Sequence, residues 1–253
     1  MLDKFRQRSH RLEHIDTGNY TADEYEDCIG ELQLVNRFMG DAHTLKATLL
    51  REVEAQRLTE FSVLDIGAGS GELLRVAATW ARQTHRELRA VGLDLNPRMT
   101  ESIVEETEHF DEISSVRGDA LQLPFADAAF DYVICSLFTH HLLDEQIVQV
   151  LREMSRVAKR RIFVIDLHRH PVAYFLYTTL GKIVLHSRLV RHDGALSILR
   201  GFKSYELLEL AERAGLQDFC VHRYFPYRLV LSAAARATVH LQDADHSTKA
   251  AAA

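Results

Sequence analysis

An α/β fold with a doubly wound, mostly parallel sheet is what the order of apolar runs in this chain predicts. Between residues 60 and 168 five short β-like runs, FSVLDIG, ELRAVGLDL, ISSVRGDA, FDYVICSLF and RRIFVIDL, are interleaved with the helix-period segments GELLRVAATWARQTH, PRMTESIVEETEHF and EQIVQVLREMSRVA. Parallel strands need long crossovers, and amphipathic helices on both faces supply them. A second observation is the punctuation: a glycine-rich turn directly follows the first run, and Pro97 stands where a helix would begin. The third is DFCVHRYFPY followed by RLVLSAAA, two runs that pair as a hairpin and close the sheet with an antiparallel strand.

The flanking segments follow from the same signals. Residues 1–19 are charged throughout and are expected to form a short helix or a loose arm. From Thr21 the periodicity of Tyr25, Cys28, Ile29, Leu32 and Val35 predicts a helix, with Glu24 three residues after Thr21 as a capping box and Gly40 separating it from a second helix. Residues 1–59 thus read as an N-terminal helical cap on a domain spanning 60–240. Within that domain 171–202 is an insertion with an apolar first half, PVAYFLYTTLGKIVL, expected as a helical lid. That half is open to three readings: a core helix, the lining of an apolar pocket, or a peripheral membrane contact through 171–185. SYELLELAERAGL is a further helix stopped by Gly215, and residues 241–253 are expected to be a disordered tail.

A chain of 253 residues with 47% hydrophobic and 26% charged content is long enough to bury a full core without staples. Thirty basic against thirty-six acidic residues, net −6, disfavours nucleic acid as a partner. Cys28, Cys135 and Cys220 are odd in number and far apart, which gives no zinc framework and suits a reducing compartment. With no apolar h-region near the start and no run of about 18 apolar residues, a cytoplasmic protein is expected, as monomer or homodimer.

The informative segment is Val63–Glu72, VLDIGAGSGE. Its glycines stand at 67, 69 and 71, but a dinucleotide fingerprint starting at Gly67 needs a glycine where Glu72 stands. Asp65, just before the loop, would repel a pyrophosphate and welcome an ammonium group. Asp94 ends the second run, where a carboxylate can accept two ribose hydroxyls. Asp119, after the third, is placed to meet the exocyclic amine of adenine. An amine, a ribose and an adenine along one ligand describe S-adenosylmethionine.

VLDIGAGSGELL, VGLDLNPRM, VRGDALQLPFADAAFDYVICSLFTHHL and RVAKRRIFVIDL resemble the successive motifs of class I S-adenosylmethionine-dependent methyltransferases, nearest to the small-molecule branch that includes menaquinone and ubiquinone biosynthesis enzymes. The resemblance covers about residues 60–168 and implies a Rossmann-like fold, S-adenosylmethionine as cofactor and S-adenosylhomocysteine as product. It implies that Gly67 and Gly69 face the methionine part, Asp94 holds the ribose and Asp119 the adenine beside Ala120. Ser136 and Leu137 would lie near the methionyl group, and Asp65, Ala68 and Leu95 complete the expected cofactor set.

The acceptor is expected beyond the carboxyl ends of the strands. Base methylation of nucleic acid lacks its marks: Cys135-Ser-Leu-Phe138 replaces the Asn/Asp-Pro-Pro-aromatic motif, and no cysteine follows a proline. His141, then His140, then His168 are the candidate general bases, placed just after the fourth and fifth runs. A histidine-rich cleft favours a small lipophilic or aromatic acceptor methylated at a phenol or hydroxyl oxygen. Carbon methylation of a quinone-type ring and a non-catalytic cofactor-binding regulator are the alternatives. His168-x-His170 with Asp166 has chelate spacing, but no metal is expected. Arg188, Arg191, Arg200 and Lys203 read either as holders of an acidic acceptor group or as a solvated face, and Tyr20, Tyr25, Asn36, Arg37 and Phe38 as a cap over the cofactor.

Overall fold

The computed structural model describes residues 3–18, 20, 21, 24, 27, 28, 30, 31 and 40–236. Most of the first expected helix, with Tyr25, Asn36, Arg37 and Phe38, and the expected tail at 241–253 lie outside the described residues. The Thr21 capping box is present: Glu24 N–H donates to Thr21 Oγ1 at 3.2 Å and Thr21 N–H to a Glu24 carboxylate oxygen at 3.0 Å.

Seven strands form one sheet in the order β3-β2-β1-β4-β5-β7-β6. They are β1 (Glu60–Ile66), β2 (Glu87–Asp94), β3 (Ile113–Arg117), β4 (Phe130–Ser136), β5 (Ala158–Leu167), β6 (Gln217–Tyr224) and β7 (Arg228–Ala234). The first five pair in parallel, while β7 runs antiparallel to both β5 and β6, as the closing hairpin predicts. The first helix of the core, α1, spans 41–55, with a π-helical turn at Lys46–Leu50 between Asp41–Leu45 and Arg51–Ala55. It is followed by α2 (Glu72–Gln83), α3 (Pro97–Glu106), α4 (Asp144–Val157), α5 (Pro171–Val184), α6 (Arg188–Arg200) and α7 (Ser204–Ala214).

Because side chains alternate along a strand, each β-run feeds two cores. Tyr132 and Ile134 pack with Leu49, Leu74 and Ile103 under α1, α2 and α3, whereas Val133 and Cys135 pack with Leu151, Met154 and Leu207 under α4 and α7. Each such aliphatic side chain stabilises the fold by about 1.5–3 kcal/mol. Cys135 is wholly buried and touches Met154 sulfur at 3.9 Å, so it packs and does not react. Asp131 is likewise structural, accepting from Ser62 N–H and Oγ at 2.9 and 2.7 Å. Across the sheet, Arg228 on β7 makes a buried bidentate pair with Asp41 at 2.6 and 2.9 Å, which docks α1 on the hairpin.

Two expectations are corrected. Residues 3–18, expected as a short helix or a loose arm, carry only short helical turns at Asp3–Phe5 and His14–Thr17 and form a strap held along its length. Arg169, fully buried, donates to Phe5 O and Arg6 O at 3.2 and 3.3 Å, and Arg200 donates to Arg11 O at 3.0 Å. Asp193 accepts from His14 and Ile15 N–H at 2.9 and 3.0 Å. Arg200 is therefore no solvated-face residue. Second, α5 is not a core helix, since only Gly181 along it is buried.

Candidate active site

Strand order reverses between β1 and β4, and the crevice outside the carboxyl ends of these strands is where open α/β sheets bind ligands. The loop after β1 turns there through Gly67 and Gly69, both left-handed, with φ of 68° and 55°. A Cβ on Gly67 would meet the Phe138 ring at 2.7 Å, while one on Gly69 would project into open space. The loop thus presses on the β4 turn on one side and leaves room for a ligand on the other.

Asp94 lies beside this loop, its carboxylate accepting from Gly69 N–H at 3.2 Å and Asn96 N–H at 2.9 Å. The helix N-cap ahead of Pro97 is Asn96, which leaves Asp94 to the crevice. Burial raises the Asp94 carboxyl against the lowering effect of these backbone donors. Asp65 at the end of β1 is 3% exposed, and its Oδ1 has no hydrogen-bond partner among the described residues. Burial, and then the neighbouring Asp94 charge, push its carboxyl up to about 8. An orphaned buried carboxylate oxygen wants a cation, as an ammonium group would supply. The Ser136 hydroxyl is also buried, with no hydrogen-bond partner among the described residues. Asp119 is exposed and accepts from Leu121 N–H at 2.9 Å, beside buried Ala120, while Leu95 is exposed beyond Asp94. These residues fit S-adenosylmethionine: Asp65 for its ammonium, Asp94 for its ribose, Asp119 and Ala120 at its adenine.

Next to that groove β4 ends in a sharp turn. Leu137 takes φ of 50°, rare for a branched side chain and costing about 1–2 kcal/mol, and its N–H is tied to Ile165 O at 2.9 Å. The 3₁₀ turn Thr139–His141 follows. Asp166, fully buried on β5, gathers this turn: it accepts from Thr139 Oγ1 at 2.6 Å, His140 N–H at 3.1 Å and Leu167 N–H at 2.7 Å, and lies 2.7 Å from His140 Nδ1. Burial alone would raise the Asp166 carboxyl, but the His140 charge and these donors hold it well below the usual carboxylate range. An ionised carboxylate only accepts, so the proton between the two is carried by His140 Nδ1.

His141 is placed differently. Its side chain is 31% exposed, its ring lies 4.2 Å from that of His140, and its Nδ1 is 3.9 Å from Glu13 of the strap. Glu13 is buried, accepts from Ser197 Oγ at 2.7 Å and lies 4.0 Å from Arg200 Nε. Arg200 clamps the turn by donating to His140 O and His141 O at 3.0 and 2.7 Å. One donor atom each from Glu13, His140 and His141 lie within 4.8 Å of one another, a set able to hold a divalent ion. His168 is elsewhere on the β5 end, among His170, Lys203 and Arg223, and burial together with those cations pushes it down to about 4. The His168–His170–Asp166 chelate does not form among the described residues, because Asp166 is taken by the His140 turn and His170 Nδ1 caps α5 by accepting from Val172 N–H. Asp166 as an orienting carboxylate, Glu13 and Arg200 are the site residues that sequence reasoning missed in these roles. An aspartate ending the fifth β-run was the available signal for the first.

Comparison with known proteins fits this geometry. A family profile described as a methyltransferase domain matches residues 63–161. A demethylmenaquinone methyltransferase of Bacillus licheniformis is 28% identical over 177 residues, 64% of this chain and 73% of that protein. Another, from Staphylococcus haemolyticus, is 36% identical over 126 residues, 48% of this chain and about half, 51%, of its own length. Human N-acetylserotonin methyltransferase, solved with S-adenosylmethionine, shares the fold at a TM-score of 0.62 and 18% identity, over 92% of this chain and 64% of that one. Residues 63–161 thus form a methyltransferase domain, in the fold that S-adenosylmethionine-dependent methyltransferases share. Along this stretch the chain is similar to demethylmenaquinone and 2-phytyl-1,4-naphthoquinone methyltransferases.

Proposed function

We propose that the protein methylates a hydroxyl of a small lipophilic or aromatic acceptor, with His140 as general base and Asp166 as the carboxylate that orients it. The observation that carries this reading is the buried 2.7 Å contact between His140 Nδ1 and Asp166. It fixes the ring, fixes the tautomer and supports the imidazolium formed when Nε2 takes the acceptor proton. When bound, S-adenosylmethionine supplies an electrophilic methyl on sulfur. The chain's task is then to hold the acceptor oxygen in line and exclude water, for which the strap and α6 lie across the turn. His141, ranked first from sequence, stands beside the pair with Glu13 and would contact the acceptor from the more open side.

The alternative of carbon methylation is favoured by one finding, that relatives include demethylmenaquinone and 2-phytyl-1,4-naphthoquinone methyltransferases. A hydroquinone that loses its proton to His140 becomes an oxyanion with density on both oxygen and ring carbon, so the same base serves either product. The test is turnover of phenols and hydroquinones, with the product assigned as methoxy or ring methyl by NMR. His140→Ala should lower kcat about a hundredfold or more and leave S-adenosylhomocysteine affinity near wild type. Full turnover by His140→Ala would overturn the assignment, and loss only in His141→Ala would move the base one residue.

A further inference from the structure

Helix α5 is built inside out. Its inner side carries Tyr174, edge-on to Phe5 at 5.6 Å, Tyr177, whose hydroxyl donates to Val190 O at 2.6 Å, and buried Gly181. Its aliphatic side faces outward: Val172, Phe175, Leu176, Leu180, Ile183 and Val184 are 46, 65, 42, 55, 79 and 65% exposed. Their spacing of three and four residues puts them on one stripe of the helix. Soluble surfaces rarely leave such a stripe uncovered.

We infer that this face of α5 rests on an anionic lipid surface. The charge around it decides between occupants. Residues 171–192 contain Lys182, Arg188 and Arg191 and no Asp or Glu, in a chain whose net charge is −6. Arg188 is engaged by Glu24 at 3.1 Å, and Glu31 accepts from His186 and Ser187 N–H, which among the described residues leaves Lys182 on α5 and Arg191 on α6 as exposed cations. Anionic headgroups would pair with these cations while the apolar side chains enter the bilayer surface. The helix has 14 residues, about 21 Å, and no helix among the described residues is long and apolar enough to cross a membrane, so α5 lies in the interface plane. Through Tyr177 it is bonded to α6, whose Arg200 holds the His140 turn. A lipid-seated α5 would bring the acceptor side of the site to the bilayer where a lipophilic acceptor dissolves. This extends the proposed acceptor class, but binding to lipid can be measured without any methyl transfer.

The full chain is floated with vesicles of phosphatidylcholine alone and of phosphatidylcholine with phosphatidylglycerol. Wild type should partition to the phosphatidylglycerol vesicles and less so as salt rises. The double variant Phe175→Ser/Ile183→Ser should bind about tenfold more weakly or worse, and Lys182→Glu should lose the preference for phosphatidylglycerol. Unchanged titration with S-adenosylhomocysteine shows that the variants are folded. Wild type remaining in the aqueous fraction, or a double variant that floats as well as wild type, overturns the inference. So does a wild-type dimer in sedimentation velocity that the double variant dissolves without any flotation, since a second copy would then occupy the face. Failure of the His140 assignment would leave flotation unchanged, so the two readings fail separately.

Discussion

Asp65 is held far from its ordinary state. With a carboxyl pushed up to about 8, the folded protein keeps a proton that the unfolded chain releases near pH 4. Folding stability therefore falls as pH rises through that window and levels off above it. A ligand ammonium beside Oδ1 reverses the preference and expels the proton on binding. Affinity for S-adenosylhomocysteine should accordingly rise between pH 6 and 8, by up to about tenfold per pH unit, with proton release measurable by calorimetry in buffers of different ionisation enthalpy. Asp65→Asn should flatten the pH dependence and bind about tenfold more weakly at pH 8. A wild-type affinity constant across the window would mean that the ammonium is held elsewhere. The same scale explains the ranking of histidines. His140 and His141 are neighbours in sequence, and no pattern tells which ring turns toward β5; that depends on Asp166, 26 positions on, reaching back across the sheet.

At the scale of elements, what carries a period was legible and what is held by single polar contacts was not. The strands announced themselves by short apolar runs, the hairpin by its position, and the glycine loop with Asp65, Asp94 and Asp119 by order along the chain. The strap over residues 3–18 has no apolar period because backbone carbonyls and amides, not a helical face, dock it. Its partners Arg169, Arg200 and Asp193 lie far away in sequence. Arg169 also joins Gly201 O at 2.6 Å and Glu206 at 2.6 and 3.0 Å, so one buried guanidinium ties strap, α6 and α7. Arg169→Leu should cost about 3 kcal/mol, as removal of one member of a buried pair does. It should also free the strap, so that trypsin cleaves after Arg6, Arg8 and Arg11 far faster than in wild type. Equal cleavage rates would show that Arg8, bonded to Asp144 at 2.6 Å and to Arg200 O at 3.0 Å, suffices as the anchor.

At the scale of the whole molecule the cofactor groove joins parts from both faces of the sheet. The glycine loop leads into α2 on one face, the β4 turn leads into α4 on the other, and Asp94 at the end of β2 accepts from Gly69 N–H. A ligand bridging these parts binds the native state alone and so stabilises all of it. S-adenosylhomocysteine at a hundred times its Kd should add about 2.7 kcal/mol, which for a chain of this size raises Tm by roughly 5–10 °C. Asp94→Ala removes the acceptor proposed for the ribose hydroxyls and should weaken binding by about 2 kcal/mol. At the same ligand concentration its Tm shift should shrink to roughly 2–3 °C. The comparison separates two roles of that carboxylate. If Asp94 only braces the loop through Gly69, the variant melts lower without ligand yet keeps the full ligand-induced shift. If it holds the ribose, the shift itself collapses, and the order of glycine loop, acid and acid along the chain is a ligand's outline and not a turn's.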